Sequence, residues 1–145
     1  MERNCQTFYG KICAMFNASG VDSEIRNGIW AECASTESFY ENRLINKATH
    51  QSPLQLMFKT QFQSFNNLQT FGEMCVVTTK KSIQGKLYDS RTVGLFVDYP
   101  QSHADDVYRI FNLRTTQIIK SRDLTWLNLR YANWNKSKNN IKIRR

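Results

Sequence analysis

Hydrophobic side chains recur three or four positions apart along residues 1–58, which is the spacing of amphipathic helices. The first helix is predicted to run from the start of the chain to about Ala18, with Gly20 as its end signal. A second helix is predicted to begin at Asp22 or Ser23, either of which can cap it, and to end near Asn46.

A short third helix is predicted at Ser52 and Pro53, because a capping residue followed by proline is a common helix start. After residue 58 the pattern changes to short runs rich in Val, Ile, Thr and aromatic side chains, separated by turn-forming residues. These runs are EMCVVTTKK, TVGLFVDY, DVYRIFNL and TQIIKSRDLTWL, and the last two are predicted to form a hairpin that turns near residues 112–116. The sequence therefore predicts an α+β protein, with helices first and a small antiparallel sheet or barrel after them.

The two long helices each need a layer that covers their apolar stripe, and residues 1–58 contain no strand pattern. No capping residue precedes the first helix either. Together these observations predict that the chain is a piece of a longer one and that the missing layer lies upstream. The alternative is a protein-interaction module in which the exposed apolar face of the helices recruits a partner.

The composition is that of a globular domain, and the sequence shows neither a signal peptide nor a window of about 20 apolar residues. We therefore expect an intracellular protein, cytoplasmic or nuclear, that does not bind membranes. The cysteines are Cys5, Cys13, Cys33 and Cys75. They form no CxxC pair and the histidines are isolated, which predicts free buried thiols and no zinc site. A nucleophilic pair of Cys75 and His103 stays open as an alternative.

The net charge of +8 is distributed unevenly along the chain. Residues 1–58 carry five basic and six acidic side chains, whereas residues 128–145 carry six basic and none acidic. A basic C-terminal segment is typical of nucleic-acid contact, although a solvated, disordered end has the same composition. The candidate phosphate-binding residues are Lys80, Lys81, Lys86, Arg114, Lys120, Arg122, Arg130, Lys136, Lys138, Lys142, Arg144 and Arg145.

Several of these candidates have a structural interpretation as well. Lys80, Lys81 and Lys86 also suit the protection of a sheet edge, and Arg122 with Asp123 suits an ion pair within the hairpin. Trp126 and Trp134 could stack on unpaired bases, but we expect Trp126 to pack in the small barrel.

Three stretches of the second half resemble a known family. LQTFGEMCVV, KLYDSRTVGLFVDYP and VYRIFNLRTTQIIKSRDLTW resemble the SH3-like segment after the integrase core in Copia-type retrotransposon polyproteins. GIWAECASTESFYENRLINKATHQSPLQLMF and ERNCQTFYGKICAM are similar to the end of that core. The matching residues are Leu68, Phe71, Gly72, Lys86, Leu87, Phe96, Val97, Tyr99, Tyr108, Arg109, Ser121, Arg122, Asp123, Trp30, Ala31, Glu32, Asn42, Arg43, Ser52, Pro53 and Phe58. The sequence departs from the family at Asp98, where the family has Gly, and at Gln55-Leu56.

The resemblance implies a division of the chain into four parts. Residues 1–58 would be a helical remnant of an RNase H-like integrase core, and residues 59–67 a connector. Residues 68–131 would be an SH3-like β-barrel, and residues 132–145 a basic, disordered tail. The expected partners are nucleic acid, bound without sequence specificity, and the remainder of a Pol polyprotein, with no small-molecule substrate.

The resemblance also implies a catalytic role for Glu2, which matches the third metal-binding carboxylate of the family. Such integrases use a pair of Mg²⁺ or Mn²⁺ ions for phosphoryl transfer. The two aspartates that complete the site belong to strands that the family places before residue 1. We therefore expect a truncated fragment that is not an enzyme by itself and holds no cofactor.

Overall fold

The computed structural model describes residues 2–59, 67–78, 91–102, 104 and 106–143. Three helices come first: α1 (Glu2–Ser19), α2 (Ser23–Arg43) and α3 (Pro53–Phe58). Five strands follow, and they are β1 (Glu73–Thr78), β2 (Arg91–Asp98), β3 (Tyr108–Asn112), β4 (Ile118–Ser121) and β5 (Leu124–Arg130). Helix α4 (Tyr131–Ile143) comes last. The predicted α+β class, with helices before an antiparallel sheet, is confirmed. Within the described residues, no helix is long and apolar enough to cross a membrane.

The end of α1 lies at the predicted glycine. Gly20 has a φ of +68° and donates its N–H to the carbonyl of Phe16 at 3.0 Å, which closes the last turn. A Cβ at this position would lie 2.4 Å from the Cβ of Ala132, so glycine also allows α4 to approach closely. Asp22 occupies the N-cap position of α2 but makes no side-chain cap; its carboxylate accepts a hydrogen bond from the Tyr131 hydroxyl at 2.7 Å instead.

Helix α3 begins with the signal that the sequence predicts. Ser52 Oγ accepts a hydrogen bond from the N–H of Gln55 at 3.2 Å, and Gln55 Oε1 accepts one from the N–H of Ser52 at 2.9 Å. This reciprocal pair is a capping box, followed by Pro53 in the first turn. None of the side chains of α3 is buried.

The strand order in the sheet is β4-β3-β2-β1-β5, with every neighbouring pair antiparallel. The two edge strands, β4 and β5, are joined by only Arg122 and Asp123. The end of β4 at Ser121 and the start of β5 at Leu124 are therefore three Cα–Cα steps apart, a distance of about 11 Å at most. In a flat five-stranded sheet the two edge strands would lie about 19 Å apart. The sheet is therefore strongly curved, although β4 and β5 do not pair in the described strands and the sheet is not closed.

One face of the sheet packs against the helices. The buried side chains that meet there are Ile12 and Phe16 of α1, Ile29 and Cys33 of α2, and Met74, Leu95, Val97 and Phe111 of the sheet. The layer that covers α1 and α2 is thus the sheet of this same chain, and the expectation of an upstream covering layer for these stripes was wrong. The reason is that strands late in a sequence can fold back over helices that precede them.

The other face of the curved sheet forms a second hydrophobic cluster. Its buried members are Cys75, Val77, Phe96, Tyr108 and Ile110, with Tyr99, Ile119, Leu124 and Trp126 packed beside them. Because Leu95 and Val97 face the helices while Phe96 faces this cluster, β2 shows the alternation of a strand that is covered on both sides.

The hairpin of β3 and β4 turns where the sequence predicts. Asn112 Oδ1 accepts hydrogen bonds from the N–H groups of Arg114 at 2.9 Å and Thr115 at 3.3 Å, which is how asparagine stabilises a turn. Residues 131–143 form α4, where the composition predicts a disordered tail. The first turn of α4 is held because Tyr131 is buried and Trp134 packs against the core that the helices share with the sheet.

Candidate nucleic-acid interface

Six of the predicted basic residues fall in described parts of the C-terminal half. Arg114 lies in the β3–β4 turn, Lys120 in β4 and Arg122 between β4 and β5. Arg130 ends β5, and Lys136 and Lys138 lie on α4; all six side chains are exposed. Lys80, Lys81, Lys86, Arg144 and Arg145 lie outside the described residues, as does the side chain of Lys142, whose backbone belongs to α4.

Arg122 and Arg130 have contacts that tie them to the fold. Arg122 Nε lies 3.7 Å from Asp106 Oδ2, so its ion-pair partner is Asp106. Both side chains are more than half exposed, and such a pair adds little to stability. Arg130 donates to the carbonyl of Ala18 at 3.4 Å and stands opposite Glu73 across β1 and β5. Arg122 is therefore more available to a ligand than Arg130.

The cations of α4 lie beside an aromatic ring. Lys138 Nζ is 5.0 Å from the ring centre of Trp134, which is within the range of a cation–π contact. Trp134 also packs against Tyr131, with ring centres 6.0 Å apart. No carboxylate of the described residues forms an ion pair with Lys136 or Lys138. These two ammonium groups are open to an anionic ligand.

The side chain of Trp126 packs against other aromatic rings of the sheet. Its ring stands edge-on against Tyr108, with centres 5.2 Å apart, and against Phe96 at 6.0 Å. Trp126 therefore packs against the strands, as predicted, beside the second hydrophobic cluster; the barrel of that prediction is not closed in the described strands.

Three carboxylates of α2, in contrast, are paired within the chain. Lys11 on α1 binds Glu37 at 3.5 Å and also contacts Glu41, both on α2. Arg109 on β3 donates to Glu32 of α2 at 3.1 Å. Residues 1–58 carry five basic and six acidic side chains, whereas β4, its flanking turns and the described part of α4 carry exposed cations.

Asp98 lies at the centre of a buried polar network. Its side chain is 3% exposed and accepts hydrogen bonds from Arg109 at 2.9 Å and Thr36 at 3.2 Å. The sequence presents Asp98 only as a departure from the glycine of the resembling family. In the structure it joins α2 to β2 and β3, together with Glu32. Sequence reasoning missed this network, because nothing in the sequence pairs these distant positions.

Glu2 lies at the exposed start of α1, with Cys5 and Gln6 one turn further along the helix. In the part of the chain that the structure describes, no three His, Cys, Asp or Glu side chains come close enough to hold a metal ion. A lone carboxylate does not fit the pair of octahedral sites that two Mg²⁺ ions require. No catalytic step follows from Glu2 and its surroundings.

All four cysteines are free thiols, as predicted, but only two of them are buried. Burial raises the pKa of Cys33 and of Cys75 to about 12 in each case. Cys5 and Cys13 are exposed, so the prediction of burial was wrong for these two. His103 lies outside the described residues, so the Cys75–His103 alternative stays open. A buried thiol with a raised pKa is, however, a poor nucleophile.

Comparison with known proteins gives no match: no family model, no curated protein and no solved structure matches this chain.

Proposed function

We propose that this protein binds nucleic acid through phosphate contacts and without reading base sequence. The observation that carries the proposal is the concentration of exposed cations in residues 114–138, which contain six basic side chains and one acidic. Lysine and arginine bind phosphate oxygens, which fix the position of a protein on nucleic acid but carry no information on sequence.

The contacts within this surface favour an anionic ligand. Lys136 and Lys138 have no carboxylate partner among the described residues, and a phosphate that displaces Asp106 from Arg122 breaks only an exposed, long ion pair. Engagement of five phosphates gives a log–log dependence of affinity on salt with a slope of about −4.5. At physiological salt, nonspecific dissociation constants of this kind lie between about 10⁻⁴ and 10⁻⁶ M.

We also propose that the chain derives from the end of a Copia-type integrase, with an SH3-like barrel formed by its strands. The motifs quoted above support this origin. Support for the barrel comes from the pairing of β1 with both β2 and β5, and from the curvature that brings the two sheet edges together at Arg122. On this proposal, integration chemistry belongs to a longer Pol polyprotein, and the chain contributes binding.

The test measures the affinity of the full chain for a duplex DNA and for a single-stranded RNA, each in two scrambled sequences, between about 50 and 200 mM salt. We expect a slope of about −4.5 for the duplex and about −3.5 for the single strand, with no preference between scrambled sequences. The double variant Lys136→Gln/Lys138→Gln should reduce the magnitude of the slope by about 1.8 for the duplex and about 1.4 for the single strand, because each lost phosphate contact removes about 0.9 or about 0.7.

The matched control is Lys47→Gln/Lys59→Gln, which removes the same charge from exposed sites in the helical half. This control should retain the wild-type slope. A slope near zero for the wild type rules out the proposal. An equal change in both variants would show that only total charge matters, and it would contradict the assignment to α4.

A further inference from the structure

A second surface, away from the cations of α4, lies between the end of α2 and the end of α3. Five large apolar side chains there are between 51% and 76% exposed. They are Leu44, Ile45, Leu56, Met57 and Phe58, and we refer to these five as the α3 surface. The sheet covers the core-facing apolar side chains of α1 and α2, which leaves Tyr9 and Trp30 as the exposed large apolar side chains of those two helices, whereas the α3 surface has five.

The backbone that carries the α3 surface is held by local hydrogen bonds. The turn before α3 is closed by the N–H of Asn46, which donates to Gln51 at 3.1 Å, and by the N–H of His50, which donates to Asn46 at 2.8 Å. The capping box then fixes the start of α3, and Lys59 N–H donates to Gln55 at 2.8 Å at its end. Most helices this short depend on packing. Here the caps hold an ordered helix whose apolar side chains remain available.

The charged side chains in the stretch of sequence that carries this surface have one sign. The sequence has no Asp or Glu between Glu41 and Glu73, and Lys47 and Lys59 are exposed on either side of α3. A complementary ligand therefore combines apolar side chains with carboxylates. We propose that the α3 surface docks an acidic amphipathic helix of a partner protein, with its apolar stripe on Met57 and its neighbours and its carboxylates near Lys47 and Lys59.

Other occupants fit the observations less well. A second copy of this chain carries the same charge of +8, so two copies repel each other. Attraction to an anionic membrane usually needs a cluster of about 4–8 basic side chains, and this surface has Lys47 and Lys59. Nucleic acid uses phosphate contacts and stacking, for which exposed Leu, Ile and Met side chains are unsuited.

The experiment uses the full chain and two synthetic helical peptides of about 16 residues. Both peptides carry leucine at positions i, i+3, i+4 and i+7; one has glutamate and the other lysine at the remaining surface positions. Fluorescence anisotropy gives the two affinities. We expect the glutamate peptide to bind at least about tenfold more tightly than the lysine peptide, because lysine there faces Lys47 and Lys59.

The variant Met57→Ser/Phe58→Ser should weaken binding of the glutamate peptide at least about tenfold, because it removes two large apolar contacts. The control Tyr9→Ser changes a side chain that is equally exposed but lies on α1, and it should leave the affinity unchanged. Both variants alter exposed residues, so circular dichroism should show the wild-type fold. Nucleic-acid affinity should stay at the wild-type value in both, which separates this surface from the proposed phosphate contacts.

Several results would overturn the proposal. They are absence of binding by the glutamate peptide, equal affinity for both peptides, and full binding by the Met57→Ser/Phe58→Ser variant. Sedimentation that shows a wild-type dimer, lost in that variant, would assign the surface to a second copy. Binding to phosphatidylserine vesicles, lost in the same variant, would assign it to a membrane.

Discussion

Helices α2 and α3 follow one another in the chain and both carry large apolar side chains, but only α2 buries any of them fully. Ile29 and Cys33 of α2 are fully buried in the core shared with the sheet, whereas Leu56, Met57 and Phe58 of α3 are exposed. The comparison shows that apolar spacing predicts a helix without predicting what covers it. Whether a helix is covered depends on the position of the sheet, whose strands come later in the sequence.

The same two regions differ in how they use charge. Where α2 meets the sheet, Glu32 and Asp98 both bind Arg109. These charged groups therefore stabilise the contact between α2 and the sheet. Beside α3, Lys47 and Lys59 have no acidic residue near them in sequence. The paired charges at the contact between α2 and the sheet therefore have a structural role. The lysines beside α3 are open to a ligand.

The largest expected effect separates the buried core from the α3 surface. Phe96→Ala should lower the free energy of unfolding by about 3–5 kcal/mol, because the ring is fully buried and packs edge-on against Tyr108 and Trp126. Met57→Ala, on the α3 surface, should change it by less than about 0.5 kcal/mol. Urea unfolding followed by circular dichroism measures both. Similar losses in the two variants would show that α3 is packed as firmly as the core.

The next effect concerns the ion pairs where α2 meets the sheet. Arg109→Leu should cost about 3 kcal/mol, because it leaves the buried carboxylate of Asp98 without its cation. Arg114→Leu, in the exposed β3–β4 turn, is the matched control and should change stability by less than about 0.5 kcal/mol.

A double-mutant cycle tests the coupling behind this loss. Asp98→Asn combined with Arg109→Leu should be more stable than the sum of the single losses predicts, by more than about 1 kcal/mol, because the charge of Asp98 is then no longer buried without its cation, and only Glu32 loses its partner. Additive losses in urea unfolding would mean that Arg109 and Asp98 act independently.

Local signals in the sequence predicted the elements whose ends depend on neighbouring residues. Gly20 ends α1, Ser52 begins α3, and Asn112 forms the hairpin turn, since each of these side chains or backbones acts within a few residues. Runs rich in Val, Ile, Thr and aromatic side chains predicted the strands, because this preference is also local.

Long-range contacts could not be predicted in this way. Glu32, Asp98 and Arg109 meet only because α2 lies on the sheet and because the β2–β3 register shifts between Phe96 and Asp98. The helical form of α4 likewise depends on Tyr131, which is anchored by Asp22 far away in the sequence. A single sequence shows neither how two strands align with each other nor where a helix packs on the sheet.

In the candidate interface all six described cations are exposed, as composition favours, because lysine and arginine are rarely buried without a partner. Composition could not show which cations are engaged. Arg122 pairs with Asp106, and Arg130 bonds to the carbonyl of Ala18; both contacts depend on the fold.

The smallest expected effect tests whether α3 is held by its caps. Ser52→Ala removes the side chain that accepts the N–H of Gln55, so α3 alone should lose about 1 kcal/mol of stability. Because α3 buries none of its side chains, the urea midpoint of the whole protein should hardly change. Hydrogen exchange should therefore become faster at the amides of α3 and stay unchanged in α2. A drop in the urea midpoint as large as the local loss would mean that α3 unfolds together with the core.

If α3 is formed only half of the time in this variant, the apparent dissociation constant of the glutamate peptide should double, because only the folded helix presents Met57 and Phe58.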